Sequence, residues 1–200
     1  MSKKIKDIDF SRRASKYDGL EGRFSRKFYR LLLEQVIITQ DAIVLDVGCG
    51  TGTILSKMAG KCRINGYGID MSENMINEAK RKCPEMNIQY SRCEQTPFND
   101  STFDILTTCM AYHHFSDREG FMKEAARILK PGGCLYIEDP YFPFIFRKFM
   151  NGIFNMLHIA GKFFTPQEIY NDFSIYGFKP YGFLKDGYVQ VVKMKLLERD

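Results

Sequence analysis

Three glycines spaced two residues apart close a short apolar run that holds an acidic residue. The segment reads Val44-Leu45-Asp46-Val47-Gly48-Cys49-Gly50-Thr51-Gly52. Glycine permits a tight turn and close approach of a ligand to the backbone, and the helix expected after it presents unpaired N–H groups at its start. Asp70 ends the next apolar run, where its carboxylate can accept hydrogen bonds from a ribose. The spacing predicts a cofactor-binding loop.

The loop departs from one common class of cofactor site. The dinucleotide fingerprint is Gly-x-Gly-x-x-Gly. Counted from Gly48, its final position falls on Thr53. The glycines and Asp70 therefore indicate a cofactor other than a dinucleotide.

Two adjacent histidines, His113 and His114, follow the predicted fourth strand. The pKa of histidine suits proton transfer near neutral pH, so both are candidate catalytic bases. The alternative is that the pair shapes the loop and packs beneath the next helix. No Ser-His-Asp or similar triad is evident in the sequence.

Segments typical of strands and helices alternate along the chain, which predicts an α/β domain with a mostly parallel sheet. Ser116–Glu119 and Thr165–Glu168 resemble capping boxes, and Asp186-Gly187 predicts a hairpin. We expect a Rossmann-like, doubly wound, seven-stranded sheet with an antiparallel C-terminal hairpin and helices on both faces. The predicted strands are 42–47, 64–69, 87–90, 103–110, 134–138, 179–184 and 188–196, and the predicted helices are 24–38, 53–59, 72–82, 116–129 and one from 165.

The length and composition are those of one globular domain covering residues 1–200. No run of 18 apolar residues and no signal peptide is evident, so we expect a cytoplasmic protein without a membrane span. The six scattered cysteines do not form a zinc pattern. The net charge of +5 is uneven, because residues 1–30 carry ten Lys/Arg and four Asp/Glu. This arm is either a solvated tail or a contact for an anionic partner.

Several landmarks in order resemble the class I S-adenosylmethionine-dependent methyltransferases, in particular the small-molecule enzymes related to the ubiquinone/menaquinone biosynthesis methyltransferases. The resemblance runs from about Ala14 to the end of the chain. Its specificity lies in the order and spacing of the landmarks. They are residues 44–52, Gly68-Ile69-Asp70-Met71-Ser72, Thr96-Pro97-Phe98, Phe103-Asp104, Ala111-Tyr112-His113-His114-Phe115 and Leu129-Lys130-Pro131-Gly132-Gly133.

The resemblance implies S-adenosylmethionine as cofactor and assigns roles by position. The loop from Asp46 to Gly52, with Gly48, Cys49 and Gly50, would hold the methionine part. Asp70 would bind both ribose hydroxyls, and Met71 would pack on the adenine face. A backbone N–H at Cys93 would meet the adenine ring, and the carbonyl of Cys109 would contact the amino group of the cofactor. Tyr17 would lie over the methionine end.

One position departs from the family pattern. Family members commonly carry an aspartate just before the position of Cys93, bonded to the adenine amino group, and here that residue is Arg92. Either Glu94 replaces the aspartate, or backbone and packing contacts hold the adenine.

The acceptor is predicted to be a small molecule. Residues 141–164 interrupt the strand–helix alternation and are rich in aromatic side chains, so they are a candidate lid over a hydrophobic or aromatic acceptor. The alternative is that the rings pack a helix onto the sheet. A further expectation is that residues 1–40 form an N-terminal helical cap. The aromatic residues of the candidate lid are Tyr141, Phe142, Phe144, Phe146, Phe149, Phe154, Phe163 and Phe164.

Three other functions compete with small-molecule methyl transfer. The basic arm suggests RNA or protein substrates. However, the Asp/Asn-Pro-Pro-Tyr/Phe motif of amino-methylating DNA enzymes is absent after the fourth strand, and Asp139-Pro140-Tyr141 follows the fifth strand instead. Arg92 motivates a second alternative, a non-catalytic S-adenosylmethionine-binding module. A metal-dependent O-methyltransferase is less well supported, because no carboxylate cluster follows the fourth strand.

Overall fold

The computed structural model describes residues 20–157 and 161–198. Its sheet consists of seven strands in the order β3-β2-β1-β4-β5-β7-β6. Strands β1 to β5 are parallel, whereas β7 runs antiparallel to β5 and β6 antiparallel to β7. The strands are β1 (Ile43–Val47), β2 (Asn65–Asp70), β3 (Asn87–Tyr90), β4 (Phe103–Cys109), β5 (Leu129–Pro140), β6 (Phe178–Asp186) and β7 (Val189–Leu196).

Helices cover both faces of the sheet, as a buried parallel sheet requires. The helices are α1 (Leu20–Gln35), α2 (Thr53–Ala59), α3 (Glu73–Lys82), α4 (Arg118–Ile128), α5 (Phe144–Leu157) and α6 (Pro166–Ser174), and Tyr112–His114 form a 3₁₀ turn. One core joins α1, α2 and α3 to the sheet through residues such as Phe28, Leu55 and Ile76. The other joins α4 and α6 to the opposite face through Phe121 and Ile169. The predicted seven-stranded fold is confirmed.

Several local predictions are also confirmed. The side chain of Ser72 caps α3 by accepting a hydrogen bond from Met75 N, and Thr165 with Glu168 forms a complete capping box on α6. Asp186 pairs with Val189 across a two-residue loop. Gly187 begins that loop at φ 62°, a left-handed conformation that glycine adopts without strain.

Two predictions about element ends are wrong. Asp117, not Ser116, caps α4, because its carboxylate accepts a hydrogen bond from Gly120 N. The fifth strand, predicted at 134–138, is longer in the structure, because β5 begins at Leu129 and includes Pro131, Gly132 and Gly133. There the pairing with β4 shifts between Phe103 and Ile105, and Gly132 adopts φ 77°. This bulge lets the strand continue without a break.

The N-terminal and lid segments are described in part. Residues 1–19 and 158–160 lie outside the described residues, so the structure does not test the whole predicted cap or lid. None of the helices in the described ranges is long and apolar enough to cross a membrane.

Candidate active site

The glycine loop joins the end of β1 to α2 and turns three times through left-handed conformations. Gly48, Gly50 and Gly52 have φ values of 71°, 51° and 76°. The N–H groups of Gly48 and Cys49 both donate to the carbonyl of Ile69 at 2.9 Å, which ties the loop to β2. A Cβ at Gly50 would meet no heavy atom within 4 Å. The loop therefore leaves its backbone open at this residue.

Asp70 ends β2 and fastens this loop to the start of α3. Its Oδ2 accepts a hydrogen bond from Gly50 N at 2.9 Å, and its Oδ1 accepts one from Ser72 N at 2.8 Å. Burial raises the pKa of Asp70, while these N–H donors act in the opposite direction. Each carboxylate oxygen has a second lone pair, so Asp70 can still accept bonds from ligand hydroxyls.

A cavity opens at the carboxyl ends of β1, β2 and β4. Here the strand order reverses, because β2 follows β1 on one side while β4 lies on the other. Ligands of open α/β sheets bind at such a point. The cavity is lined by Gly48, Gly50, Ile69, Asp70, Met71, Met75, Ser91, Cys93, Glu94, Cys109, Met110, Ala111, His114, Phe115 and Ser116.

One end of the cavity combines apolar side chains with a carboxylate. Met71 is 41% exposed and lines the wall together with Met75. Glu94 forms an ion pair with Arg92, and its Oε2 lies 3.5 Å from Cys93 Sγ. The guanidinium of Arg92, which stands where family members commonly carry an aspartate, is thus paired with Glu94. Burial raises the pKa of the Cys93 thiol.

The two predicted histidines have different surroundings. Their ring centroids are 3.8 Å apart, but only His114 is among the described residues that line the cavity. His113 is buried, stacks on Phe163 at 5.3 Å, and forms a 2.7 Å hydrogen bond from Nδ1 to Asp139 Oδ1. Burial raises the pKa of Asp139, and His113 opposes that shift. The geometry makes His114 the cavity-facing base candidate and His113 its buried neighbour.

Comparison with known proteins identifies the family. A family model described as a methyltransferase domain matches residues 45–137. The ubiquinone/menaquinone biosynthesis C-methyltransferase of Rickettsia felis is 31% identical over 179 residues, covering 80% of this chain and 71% of that protein. The chain belongs to the class I S-adenosylmethionine-dependent methyltransferases.

This class I chain is also similar to a demethylmenaquinone methyltransferase from Chlorobaculum parvum. The two are 34% identical over 110 residues, which is 55% of this chain and 46% of that protein. The chain likewise spans only 41% and 56% of two further relatives, from Chlorobaculum tepidum and Rickettsia prowazekii. The fold matches a methyltransferase solved in complex with the Haloferax volcanii Trm112 activator, with a TM-score of 0.82, 18% identity and coverage of 96% and 97%.

The class I site contains most of the residues expected from the sequence. Those that line the cavity are Gly48, Gly50, Asp70, Met71, Cys93, Glu94, Cys109 and His114. Tyr17 lies outside the described residues. None of the aromatic residues of the candidate lid is among the described lining residues.

Asp46, Cys49 and Gly52 are not among the described lining residues. Asp46 is 1% exposed and its Oδ1 accepts a 2.7 Å hydrogen bond from Thr107 Oγ1. Burial raises the pKa of Asp46 to about 7. Cys49 is buried in the core, and a Cβ on Gly52 would lie 3.2 Å from Ala79 Cβ. These three residues therefore face the protein interior and not the cavity.

Two carboxylates at the end of β5 were not singled out from the sequence. Glu138 Oε2 accepts a 2.9 Å hydrogen bond from Cys109 Sγ, and its Oε1 is buried without a partner in the described structure. Burial raises the pKa of both Glu138 and Cys109. Asp139 holds His113 on the opposite face of the strand. Their position at the carboxyl end of a parallel strand was the signal that could have found them.

The site fits an adenosine ligand with an amino-acid tail. Asp70 supplies a carboxylate for ribose hydroxyls, and Met71 and Met75 supply apolar walls for a flat ring. Gly50 leaves open backbone beside Asp70. These are the features that the family's cofactor requires of its site.

Proposed function

We propose that this chain transfers the methyl group of S-adenosylmethionine to a small, hydrophobic or aromatic acceptor of the quinone type. The observation that carries the proposal is the cavity itself, whose lining brings together Gly50, Asp70 and His114. The acceptor class rests on relatives named as demethylmenaquinone and ubiquinone/menaquinone methyltransferases. The cytoplasmic location expected from the sequence remains a prediction.

The cofactor would be held mostly by backbone and by one carboxylate. Asp70, fixed by Gly50 N and Ser72 N, would accept the ribose hydroxyls without rearrangement. Met71 would cover the adenine ring. Further contacts would come from the loop of residues 46–52, from Cys93 N–H and Glu94 at the adenine end, from the Cys109 carbonyl at the amino group, and from Tyr17.

When bound, S-adenosylmethionine supplies a methyl group already activated by its sulfonium, for direct in-line transfer. The chain's own task is to orient the acceptor, to exclude water and to take a proton from a weak nucleophile. His114 would take that proton, since it is the histidine that reaches the cavity. The hydrogen bond that Asp139 accepts from Nδ1 fixes the ring of His113, which in turn packs against His114. His113 would therefore act as a positioning residue.

The segment 141–164 would close over the acceptor. Phe163 makes ring contacts with Phe142 and Phe154 at 4.8 and 5.6 Å and stacks on His113. This aromatic cluster thus lies one ring away from His114. Its position supports a lid that shields an apolar acceptor from water.

A paired measurement of binding and turnover tests the proposal. Calorimetry with S-adenosylhomocysteine gives cofactor affinity, and S-adenosylhomocysteine formation with reduced naphthoquinones and benzoquinones gives turnover. His114→Ala should retain cofactor affinity and lose roughly 10²-fold or more in turnover. Lys123→Ala, on the exposed side of α4, is the matched control and should change neither.

Each alternative function has its own outcome in this assay. Tight binding without product across acceptors, including RNA and protein fractions, would identify a binding module. A hydrophilic acceptor or product formed only with RNA or protein would refute the quinone-type assignment. Unchanged turnover in His114→Ala would refute the role of that residue.

A further inference from the structure

Helix α5 exposes a stripe of large apolar side chains along one side. Ile145, Phe149, Gly152 and Met156 follow the i, i+4, i+7, i+11 spacing of one helical face. The three large members are 82%, 63% and 71% exposed, and no residue of α5 is buried. Such a continuous apolar face is uncommon on a soluble surface and marks an interaction site. We call these four residues the outer stripe.

The opposite side of α5 already attaches the helix to the protein. Asn151 exchanges hydrogen bonds with the backbone of Phe163 at 2.9 and 3.0 Å. Arg147 forms an ion pair with Glu168 at the start of α6, and Phe146 packs on Phe142 with ring centroids 4.9 Å apart. Within residues 20–157 and 161–198, the contacts that hold the helix in place do not involve the outer stripe. Its large side chains stay exposed in this part of the chain.

The helix that carries the outer stripe has no acidic side chain of its own. Its charged residues are Arg147, which is paired with Glu168 on the attached side, and Lys148. Lys148 is exposed and adjoins Phe149 on the helix. The whole chain carries a net charge of +5. Apolar side chains flanked by lysine, without carboxylates, complement an anionic surface that has an apolar interior.

We propose that the outer stripe of α5 binds the surface of an anionic lipid bilayer, with the helix lying in the plane of the interface. Helices of this kind bury their apolar face at the boundary between headgroups and acyl chains and gain affinity from anionic lipids. A helix of 14 residues is about 21 Å long, which suits lying on the surface. This orientation would place the 141–164 segment at the membrane, where quinone-type acceptors partition.

Vesicle binding tests the surface directly and needs neither cofactor nor acceptor. The full-length protein is sedimented with vesicles of phosphatidylcholine alone or with about 30% phosphatidylglycerol, at about 0.1 and 0.5 M salt. The variant Phe149→Ser/Met156→Ser removes two of the three large side chains of the outer stripe. Ile37→Ser/Ile175→Ser is the matched control, because these side chains are 71% and 77% exposed outside α5. Circular dichroism confirms that each variant is folded.

We expect the wild type and the control to bind the anionic vesicles, and the stripe variant to bind at least about tenfold more weakly. Binding that weakens at high salt would support the role of the basic residues. Equal binding by the stripe variant would show that the basic N-terminal arm suffices and would overturn the proposal. The proposal also fails if the wild type does not bind the vesicles. In that case a wild-type dimer that the stripe variant does not form, seen by analytical ultracentrifugation, would identify the outer stripe as a dimer interface. None of these outcomes bears on methyl transfer, which is assayed separately.

Discussion

Asp46 offers a quantitative test of how the loop is supported. Its carboxylate is 1% exposed beneath the glycine loop, and burial raises its pKa from 3.8 to about 7, with Thr107 opposing and Asp70 adding to the shift. The folded protein therefore keeps a proton at Asp46 over a pH range in which the unfolded chain has lost it. Across that range the free energy of unfolding must fall as pH rises.

The size of the effect follows from the shift. Between pH 5 and pH 7 the unfolded carboxyl is ionised and the folded one is largely protonated. The free energy of unfolding then falls by about 1.4 kcal/mol per pH unit, or roughly 2–3 kcal/mol in all. Above pH 7 both states are ionised and the contribution is constant. Asp46→Asn removes the titration but keeps an oxygen that can accept the hydrogen bond from Thr107 Oγ1.

Urea unfolding of the wild type and Asp46→Asn at pH 5, 6, 7 and 8 measures this difference. The variant should gain stability relative to the wild type by about 2–3 kcal/mol between pH 5 and pH 8. Asp100→Asn, at an exposed carboxylate, controls for the loss of one negative charge. Parallel stability profiles for the wild type and Asp46→Asn would refute the reasoning, since other buried carboxyls are common to both proteins.

Three further predictions concern the cavity. Asp70→Asn should weaken cofactor binding by about 30-fold, because the amide presents a donor to Gly50 N or Ser72 N and loses charged acceptors worth about 2 kcal/mol; calorimetry within threefold of wild type would contradict this. Gly50→Ala should weaken cofactor binding by roughly fivefold, or about 1 kcal/mol, since a Cβ would occupy the open space beside Asp70; unchanged affinity would count against it. Asp139→Asn should lower kcat by about tenfold and shift its pH profile at unchanged cofactor affinity, because it loosens His113; an unaltered profile would argue for a merely structural pair.

The fold was predictable because its signals are local. Strand β1 is a short apolar run, α3 and α6 begin at side chains that cap them, and Asp186-Gly187 supplies the hairpin loop. The position of Gly50 and Asp70 at the cavity was predictable for the same reason, since each ends a strand or follows one. The start of α4 was not, because Ser116 and Asp117 are both good N-cap residues. The tertiary structure separates them: the Asp117 carboxylate accepts the hydrogen bond from Gly120 N, whereas Ser116 lines the cavity.

Neighbouring residues could not be separated by type alone where three-dimensional packing decides their roles. Asp46 and Gly52 belong to the same motif as Gly50, but only Gly50 is among the described residues at the cavity. His113 and His114 are chemically identical in the sequence. The 3₁₀ turn directs one ring toward Asp139 and the other toward the cavity. A turn of three residues is too short to show a repeating sequence pattern that would predict this difference.

At the end of β5, the geometry of the strand gives two adjacent carboxylates different partners. Successive side chains of a strand point to opposite faces, so Glu138 reaches Cys109 while Asp139 reaches His113. Both carboxyls are buried, and burial raises the pKa of each. His113 opposes this shift at Asp139, and the hydrogen bond from the Cys109 thiol opposes it at Glu138. An imidazole can carry a full positive charge whereas a thiol cannot, so we expect ionisation to be favoured at Asp139 over Glu138.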